Sequence, residues 1–258
     1  MKKISMLIAL FTLSVNVAQA KEWTQIRIGV EGAYPPFSQT EADGSVTGFD
    51  IDIANALCAE MQADCTLIKQ DWDGIIPALM ARKFDAIVAT MDITEERKKR
   101  VAFTNKYQHI PARFAALKGT EYQASPAFMA GKKVGVQRAT SMDLYISDNY
   151  PDAEIKRYGS ADEAYLDLKA GRLDFIMADS AAITGGLLEK AGGDKFELVG
   201  PKLNDPKWFG EGAGIAVRQQ DKDLVEQLNA AIKAIRADGT YQNIQDKYFT
   251  FDVYGSEE

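Results

Sequence analysis

The sequence predicts an α/β fold in which mainly parallel sheets are flanked by helices. Short runs of β-branched and other apolar residues, typical of buried strands, alternate with segments that repeat apolar residues at helical spacing. Such alternation favours parallel sheets with helices on both faces. The composition, with 46% hydrophobic and 26% charged residues, is that of a globular protein with a packed core.

The first 20 residues are expected to be a cleaved signal peptide and are left out of the fold. Lys2 and Lys3 precede an apolar stretch at 4–17, and residues 18–20 read Ala-Gln-Ala, a small-x-small cleavage pattern. A membrane anchor is the alternative, but the apolar stretch is shorter than the ~20 residues that a span requires. No cysteine stands at the expected cleavage point after Ala20, which argues against a lipoprotein anchor.

Cleavage would leave residues 21–258, enough for one large domain or for two lobes of ~100–150 residues each. The formal charge would change from −7 to −9, because residues 1–20 carry two lysines and no acids. An acidic surface argues against binding to nucleic acid, whose phosphates it would repel. It is compatible with a cationic ligand.

The elements follow one another as expected for such a fold. Strands are predicted at residues 25–30, 66–69, 85–90, 133–136, 155–158, 175–178 and 213–217. Helices are predicted at residues 48–61, 73–81, from 142 onward, at 161–170 and at 221–237. Thr94 has the position of a helix N-cap, with Glu95 and Glu96 in the first turn.

Two cysteines are present, and a disulfide between them is the first interpretation. Cys58 lies on the predicted helix 48–61, and Cys65 lies just beyond its end. The signal peptide implies an oxidising compartment, where disulfides form. A zinc site is the alternative, but two cysteines and a single histidine, His109, do not supply four ligands.

Ligands of parallel sheets bind outside the carboxyl ends of the strands, so the residues after each predicted strand are the candidates for a binding site. They combine acids, an arginine, hydroxyls and aromatic rings. The candidate ligand-binding residues are Glu31, Tyr34, Trp72, Thr90, Asp92, Arg97, Gln137, Thr140, Ser141 and Asp179.

This set matches the chemical demands of a cationic amino acid. The carboxylate of such a ligand needs a bidentate cation, which Arg97 can supply. Its ammonium needs an acid, and Asp92 and Asp179 qualify. A long cationic side chain needs flat aromatic walls, which Tyr34 and Trp72 could supply. It also needs a carboxylate at its charged end, which Glu31 could supply. Each of these residues taken singly also has a structural interpretation, for example a solvated helix charge or a helix cap.

Enzyme motifs are absent from the sequence. There is no glycine-rich phosphate loop between a strand and a helix, and no nucleophile–base pair can be named. His109, followed by Ile110 and Pro111, is expected to lie in a crossover segment. We therefore expect no catalytic residue, no metal and no cofactor.

Several motifs, in order along the chain after the signal peptide, resemble the polar amino-acid-binding proteins of ABC importers in the Gram-negative periplasm (solute-binding protein family 3). The resemblance is strongest to the arginine-binding and lysine/arginine/ornithine-binding branch. Besides Cys58 and Cys65, it rests on residues 48–52 (Gly-Phe-Asp-Ile-Asp), 72–77 (Trp-Asp-Gly-Ile-Ile-Pro), 90–97 (Thr-Met-Asp-Ile-Thr-x-x-Arg), 132–136 (Lys-Lys-Val-Gly-Val), 170–174 (Ala-Gly-Arg-Leu-Asp), 205–212 (Asp-Pro-x-Trp-Phe-Gly-x-Gly) and 238–241 (Asp-Gly-Thr-Tyr).

The resemblance implies a two-lobed periplasmic binding protein of type II, whose lobes are joined by two hinge strands and close on the ligand. Lobe 1 would combine residues 21–110 with 211–258, and lobe 2 would be residues 111–210. The hinge crossings would lie near residues 109–112 and 208–212. The protein would be a periplasmic monomer that delivers its amino acid to the membrane subunits of an ABC importer.

The resemblance also assigns roles to the candidate residues. Arg97 would hold the ligand carboxylate with backbone N–H groups near Asp92 and Ser141, and Asp179 would bind the ammonium. Tyr34 and Trp72 would enclose the side chain. Glu31 would meet its distal charge.

Arginine is the first choice of ligand, because two aromatic walls favour a planar guanidinium and Glu31 favours a cation. Asp92 stands where the lysine- and histidine-binding proteins usually have serine, and Met-Asp-Ile-Thr is similar to the arginine-binding branch. Lysine, ornithine, histidine, an opine or glutamine are the alternative ligands. Two other classes stay open: a cyclohexadienyl-dehydratase-like enzyme on the same fold, and a sensory domain, although no transmembrane segment follows residue 20 in the sequence.

Overall fold

The computed structural model describes residues 23–255. The predicted signal peptide and its cleavage point lie outside this range. The strands are β1 (Gln25–Val30), β2 (Ala33–Tyr34), β3 (Ser38–Thr40), β4 (Val46–Thr47), β5 (Asp64–Lys69), β6 (Ala86–Ile87), β7 (Val101–Gln108), β8 (Ala112–Leu117), β9 (Lys133–Gln137), β10 (Glu154–Tyr158), β11 (Phe175–Asp179), β12 (Phe196–Leu203) and β13 (Ala213–Arg218). The helices are α1 (Phe49–Glu60), α2 (Trp72–Met80), α3 (Glu95–Lys98), α4 (Pro126–Met129), α5 (Ser141–Asn149), α6 (Ala161–Lys169), α7 (Ser180–Ile183), α8 (Pro206–Phe209), α9 (Lys222–Ala237) and α10 (Thr240–Tyr248), with a π-helical segment at Thr184–Leu188 and a short 3-10 helix at Gly193–Lys195.

Two five-stranded sheets of matching design form the two lobes. The sheet of lobe 1 has the order β5-β1-β6-β13-β7, and that of lobe 2 has the order β10-β9-β11-β8-β12. In each sheet one strand, β13 or β8, is antiparallel to both of its neighbours, while the other pairs are parallel. The predicted α/β class with mainly parallel sheets is therefore confirmed, and each sheet has one antiparallel strand inserted.

The chain passes twice between the two sheets. It leaves lobe 1 at the end of β7 and enters lobe 2 at β8, and it returns from β12 to β13 through α8. The second passage runs close to Ile93, since a side chain at Gly210 would place its Cβ 2.1 Å from the Ile93 carbonyl oxygen. Gly210 also has φ 63°, so glycine suits this position on both grounds.

Helix α1 packs against the sheet of lobe 1 through apolar residues at a spacing of four. Phe49, Ile53 and Leu57 are each at most 1% exposed. Cys58 on α1 and Cys65 on β5 form a disulfide, which joins the helix to the neighbouring strand. The predicted pairing is confirmed, and the zinc alternative for these cysteines is wrong.

Removal of the disulfide should destabilise lobe 1 without changing the ligand site. Its ring of eight residues predicts a loss of about 2–3 kcal/mol in the free energy of unfolding for the variant Cys58→Ser/Cys65→Ser. Urea unfolding of this variant and of the oxidised protein measures the difference. Equal unfolding free energies would contradict the assigned contribution.

The predicted strand 85–90 is shorter in the structure than in the prediction. Only Ala86 and Ile87 pair with neighbouring strands as β6. Thr90 takes a left-handed backbone conformation, with φ 46°, and its N–H donates to the hydroxyl of Tyr107 at 2.9 Å. The chain therefore leaves the sheet early and directs Thr90 and Asp92 toward the space between the lobes.

Within residues 23–255, no helix combines the length and the apolar character needed to cross a membrane.

Candidate functional site

A cavity lies between the two lobes. All ten candidate residues named from the sequence line it, together with Ala89 and Met142, which were not among them. The lining residues are Glu31, Tyr34, Trp72, Ala89, Thr90, Asp92, Arg97, Gln137, Thr140, Ser141, Met142 and Asp179.

The half of the cavity in lobe 1 is built from segments that follow strands. Glu31 comes directly after β1, and Trp72 is the first residue of α2, shortly after β5. Asp92 follows β6, and Arg97 lies on the short helix α3. Thr94 caps that helix by accepting a hydrogen bond from the Arg97 backbone N–H at 3.3 Å, as predicted. The carboxyl ends of parallel strands thus deliver these side chains to one edge of the sheet.

The half in lobe 2 has the same construction. Gln137 ends β9, Thr140 caps α5 by accepting from the Asp143 N–H, and Ser141 is the first residue of that helix. Asp179 ends β11 and precedes α7. It occupies the N-cap position of α7, but its side chain makes no capping hydrogen bond to that helix.

Hydrogen bonds join the two halves directly across the cavity. Tyr34 donates its hydroxyl to Asp179 Oδ2 at 2.7 Å, and Gln137 Nε2 donates to Glu31 Oε1 at 2.6 Å. The hydroxyl of Ser141 donates to a carboxylate oxygen of Asp92. Each of these pairs has one member in each lobe, so the structure shows the lobes in a closed arrangement.

Two further contacts hold the outer edge of the closed cleft. Trp72 Nε1 donates to the carbonyl oxygen of Ala139 at 3.3 Å. Arg138 forms an ion pair with Asp73, with both side chains partly exposed. The Arg138–Asp73 pair is solvated, and such pairs contribute little energy.

Arg97 lines the cavity, and its guanidinium lies over the ring of Trp72, 5.2 Å from the ring centroid. Nη1 donates to the carbonyl oxygen of Asp92 at 3.0 Å. Burial lowers the pKa of Arg97, while the charges of Asp92 and Asp179 oppose that shift. A guanidinium carries five N–H donors, so a carboxylate in the cavity can still be bound by Arg97.

Three acids, Glu31, Asp92 and Asp179, line the cavity together with this single arginine. Burial raises the pKa of Glu31 to about 7 and that of Asp92 to about 6. The pKa of Asp179 is raised well above its usual range by burial and by the charge of Asp92. Ionised carboxylates in this site therefore require more positive charge than Arg97 provides, and a cationic ligand would supply it.

The two aromatic walls differ in their surroundings. The ring of Tyr34 stacks on Phe37 with centroids 5.7 Å apart, and its hydroxyl is held by Asp179. Trp72 already carries Arg97 against its ring within the same lobe. That these two rings enclose a ligand side chain stays a prediction.

A buried layer beneath the cavity was missed by the sequence reasoning. Asp50 is fully buried and accepts hydrogen bonds from the hydroxyls of Tyr107 at 2.8 Å and Thr90 at 2.9 Å. Burial raises the pKa of Asp50 to about 7. Tyr107 also fixes the backbone of Thr90. These contacts hold the left-handed residue Thr90 in place on the cavity wall.

Comparison with known proteins identifies the family to which the chain belongs. The family model of the bacterial extracellular solute-binding proteins, family 3, matches residues 26–251. An L-arginine-binding protein of Pseudomonas aeruginosa is 50% identical over 99% of this chain and 100% of its own length.

Solved structures give the same result. One of a Salmonella typhimurium periplasmic binding protein with high arginine specificity has a TM-score of 0.81 at 35% identity, covering 88% of this chain and 99% of that one. An ancestral amino-acid-binding protein, a precursor of cyclohexadienyl dehydratase, has a TM-score of 0.77 at 31% identity, covering 88% and 96%. The chain belongs to the bacterial extracellular solute-binding proteins, family 3.

Proposed function

We propose that this protein is a periplasmic solute-binding protein that captures a cationic L-amino acid, arginine first, and delivers it to the membrane subunits of an ABC importer. The observation that carries the proposal is the lining of the closed cavity, which combines three acids, Glu31, Asp92 and Asp179, with a single basic side chain, Arg97. The relatives named as arginine-binding proteins support the same ligand.

Each part of arginine has a complementary group in the cavity. Arg97 holds the α-carboxylate with backbone N–H groups near Asp92 and Ser141, and Asp179 binds the α-ammonium. The guanidinium extends to Glu31, which is 5% exposed and hydrogen-bonded by an amide from the other lobe. Because the two lobes contribute different groups, one ligand bridges them and shifts the population toward the closed form.

The proposal includes the organisation of the chain. Lobe 1 comprises residues 21–110 and 211–258, lobe 2 comprises residues 111–210, and the hinges lie near residues 109–112 and 208–212. The passages between the sheets, after β7 and before β13, support these limits. The mature protein begins after Ala20 and acts as a monomer in the periplasm.

Binding involves no catalytic step in this proposal. The buried acids of the cavity are assigned to the charges of the ligand, which leaves no acid–base pair for turnover. The named relatives are binding proteins, and the ancestral precursor of cyclohexadienyl dehydratase is itself described as an amino-acid-binding protein.

A thermal-shift panel tests the ligand assignment. The panel contains the twenty amino acids with ornithine, citrulline, opines and a prephenate-like cyclic acid. The proposal predicts that arginine gives the largest rise in melting temperature, because a ligand that binds only the folded state stabilises it. A larger shift with a neutral or acidic ligand would overturn the assignment.

Arginine affinity should fall as the pH falls below 7. The carboxyl group of Glu31, with a pKa of about 7 in the ligand-free cavity, carries a proton at lower pH, and a cationic guanidinium must displace it. We expect Glu31 alone to lower the affinity by up to roughly tenfold per pH unit below 7, and Asp179, whose pKa is also raised by burial, to add to the decline. Calorimetry at pH 5 to 8 in buffers of different ionisation enthalpy measures the affinity and the released protons; a pH-independent affinity would contradict this role of Glu31.

A further inference from the structure

A short segment of lobe 2, residues 137–141, supplies several of the contacts that join the closed lobes. These contacts link Gln137 to Glu31, Arg138 to Asp73, Ala139 to Trp72 and Ser141 to Asp92. The segment runs from the end of β9 to the first residue of α5. Its backbone conformation therefore decides whether lobe 2 presents the right groups to lobe 1.

Ala139, in the middle of this segment, has a left-handed backbone conformation, with φ 60°. Residues other than glycine rarely adopt it, because their Cβ comes too close to a carbonyl oxygen. Gln62 and Arg82 also have positive φ, but they follow the ends of α1 and α2, where a left-handed residue is common. Ala139 instead precedes a helix, so its conformation needs support from the surrounding structure.

The support comes from Asp143, in the first turn of α5. Its carboxylate accepts a hydrogen bond from the Ala139 backbone N–H at 3.2 Å. Asp143 is 9% exposed and is itself held by Arg157 on β10, whose Nε donates to Asp143 Oδ1 at 2.8 Å. The carbonyl oxygen of Ala139 accepts from Trp72 of lobe 1. The backbone of Ala139 thus connects Asp143 in lobe 2 with Trp72 in lobe 1.

We propose that Asp143 is a positioning residue for ligand capture, which keeps residues 137–141 in the conformation that closes on lobe 1. Asp143 does not line the interlobe cavity and acts through Ala139. Without its carboxylate the segment would populate other conformations before the ligand binds, and the apparent affinity would fall with the fraction that can close. The inference rests on the proposed function and extends it to a residue outside the cavity.

The variant Asp143→Ala removes the acceptor for the Ala139 N–H. Calorimetric titration should show arginine affinity lowered by about tenfold, the factor by which an L-residue disfavours the left-handed conformation. The same change in a protein that carries Ala139→Gly should lower the affinity by less than about twofold, because glycine adopts a positive φ without support. A role of Asp143 in stability alone would give no such dependence on residue 139.

The variant Asp143→Asn separates the hydrogen bond from the charge. It removes the negative charge but keeps an oxygen that can accept from the Ala139 N–H. We expect it to retain arginine affinity within about threefold. It also decides the matter if circular dichroism shows that ligand-free Asp143→Ala does not fold.

Asp167→Ala is the matched control. Asp167 lies on α6 of lobe 2, accepts from Arg172 Nε at 3.0 Å and from the Tyr158 hydroxyl at 2.7 Å, and does not line the interlobe cavity. Its replacement removes the same charge and an arginine partner from the same lobe. This variant should leave arginine affinity unchanged.

An unchanged affinity in Asp143→Ala, or an equal loss with alanine and with glycine at position 139, would overturn the inference. So would a loss of about tenfold in Asp143→Asn, or a loss in Asp167→Ala that matches the one in Asp143→Ala. Failure of the unmodified protein to bind any cationic amino acid would instead refute the proposed function itself.

Discussion

Replacement of Arg97 by alanine should reduce arginine affinity by at least about a hundredfold, since charged hydrogen bonds are worth about 1.5–3 kcal/mol each and the carboxylate would lose a bidentate partner. The ligand carboxylate would also be left in a cavity that already contains Glu31, Asp92 and Asp179. Calorimetric titration of the variant with arginine measures the loss. Circular dichroism of the ligand-free variant establishes that it is folded.

Arg100→Ala is the control for this experiment. Arg100 is exposed, lies three residues further along and does not line the interlobe cavity. Its removal changes the net charge by the same amount and should leave the affinity nearly unchanged. If Arg97→Ala bound arginine as tightly as Arg100→Ala does, Arg97 would not hold the carboxylate.

Replacement of Glu31 by glutamine should have the second largest effect. The change keeps the size of the side chain and removes the charge that meets the guanidinium, so we expect arginine affinity to fall by about ten- to a hundredfold. Affinity for neutral ligands such as citrulline and glutamine should be retained or should rise. The variant should also show a shallower decline in arginine affinity below pH 7, because the contribution of Glu31 is removed while that of Asp179 remains. Titrations with the three ligands at pH 6 and pH 8 measure all of these changes.

Glu60→Gln, an exposed position on α1, provides the same change of charge away from the cavity. This control should bind arginine like the unmodified protein. An arginine affinity in Glu31→Gln equal to that of the control would show that the distal charge of the ligand lies elsewhere.

The position of the candidate site could be predicted from the sequence because a parallel sheet brings its strand ends together. Glu31 follows β1 and Asp179 ends β11, and these strands lie in different lobes. The rule for strand ends locates such residues without any knowledge of the contact between the lobes. It succeeds for residues that are local in the sequence to a strand end.

The buried layer beneath the cavity could not be predicted in this way. Asp50 lies near the start of α1, where the sequence pattern gives no indication of its partners. Its role depends on a partner far away in the chain, the hydroxyl of Tyr107, which donates a hydrogen bond to it. The spacing of apolar residues indicates which face of a helix is buried, but it does not reveal the hydrogen-bond partner of a buried polar side chain.

The order of the strands in each sheet likewise could not be predicted from local sequence patterns. Strand β13 inserts between β6 and β7 although it follows the whole of lobe 2 in the chain, and β8 occupies the corresponding position in the other sheet. The apolar run of β13 predicts a buried strand but does not specify its neighbours or its direction. Tertiary packing decides both, and it also ends β6 after two residues so that Thr90 can turn toward the cavity.

The most direct test of the central claim is the comparison of arginine with citrulline by titration calorimetry of the unmodified protein at pH 8. The two ligands share the α-amino acid end and have nearly the same shape, but citrulline is neutral where arginine is cationic. The excess of buried acids in the cavity predicts that arginine binds at least about a hundredfold more tightly, since a buried carboxylate then loses its charged partner. Equal affinities, or tighter binding of citrulline, would contradict the claim that the closed lobes select a cationic side chain.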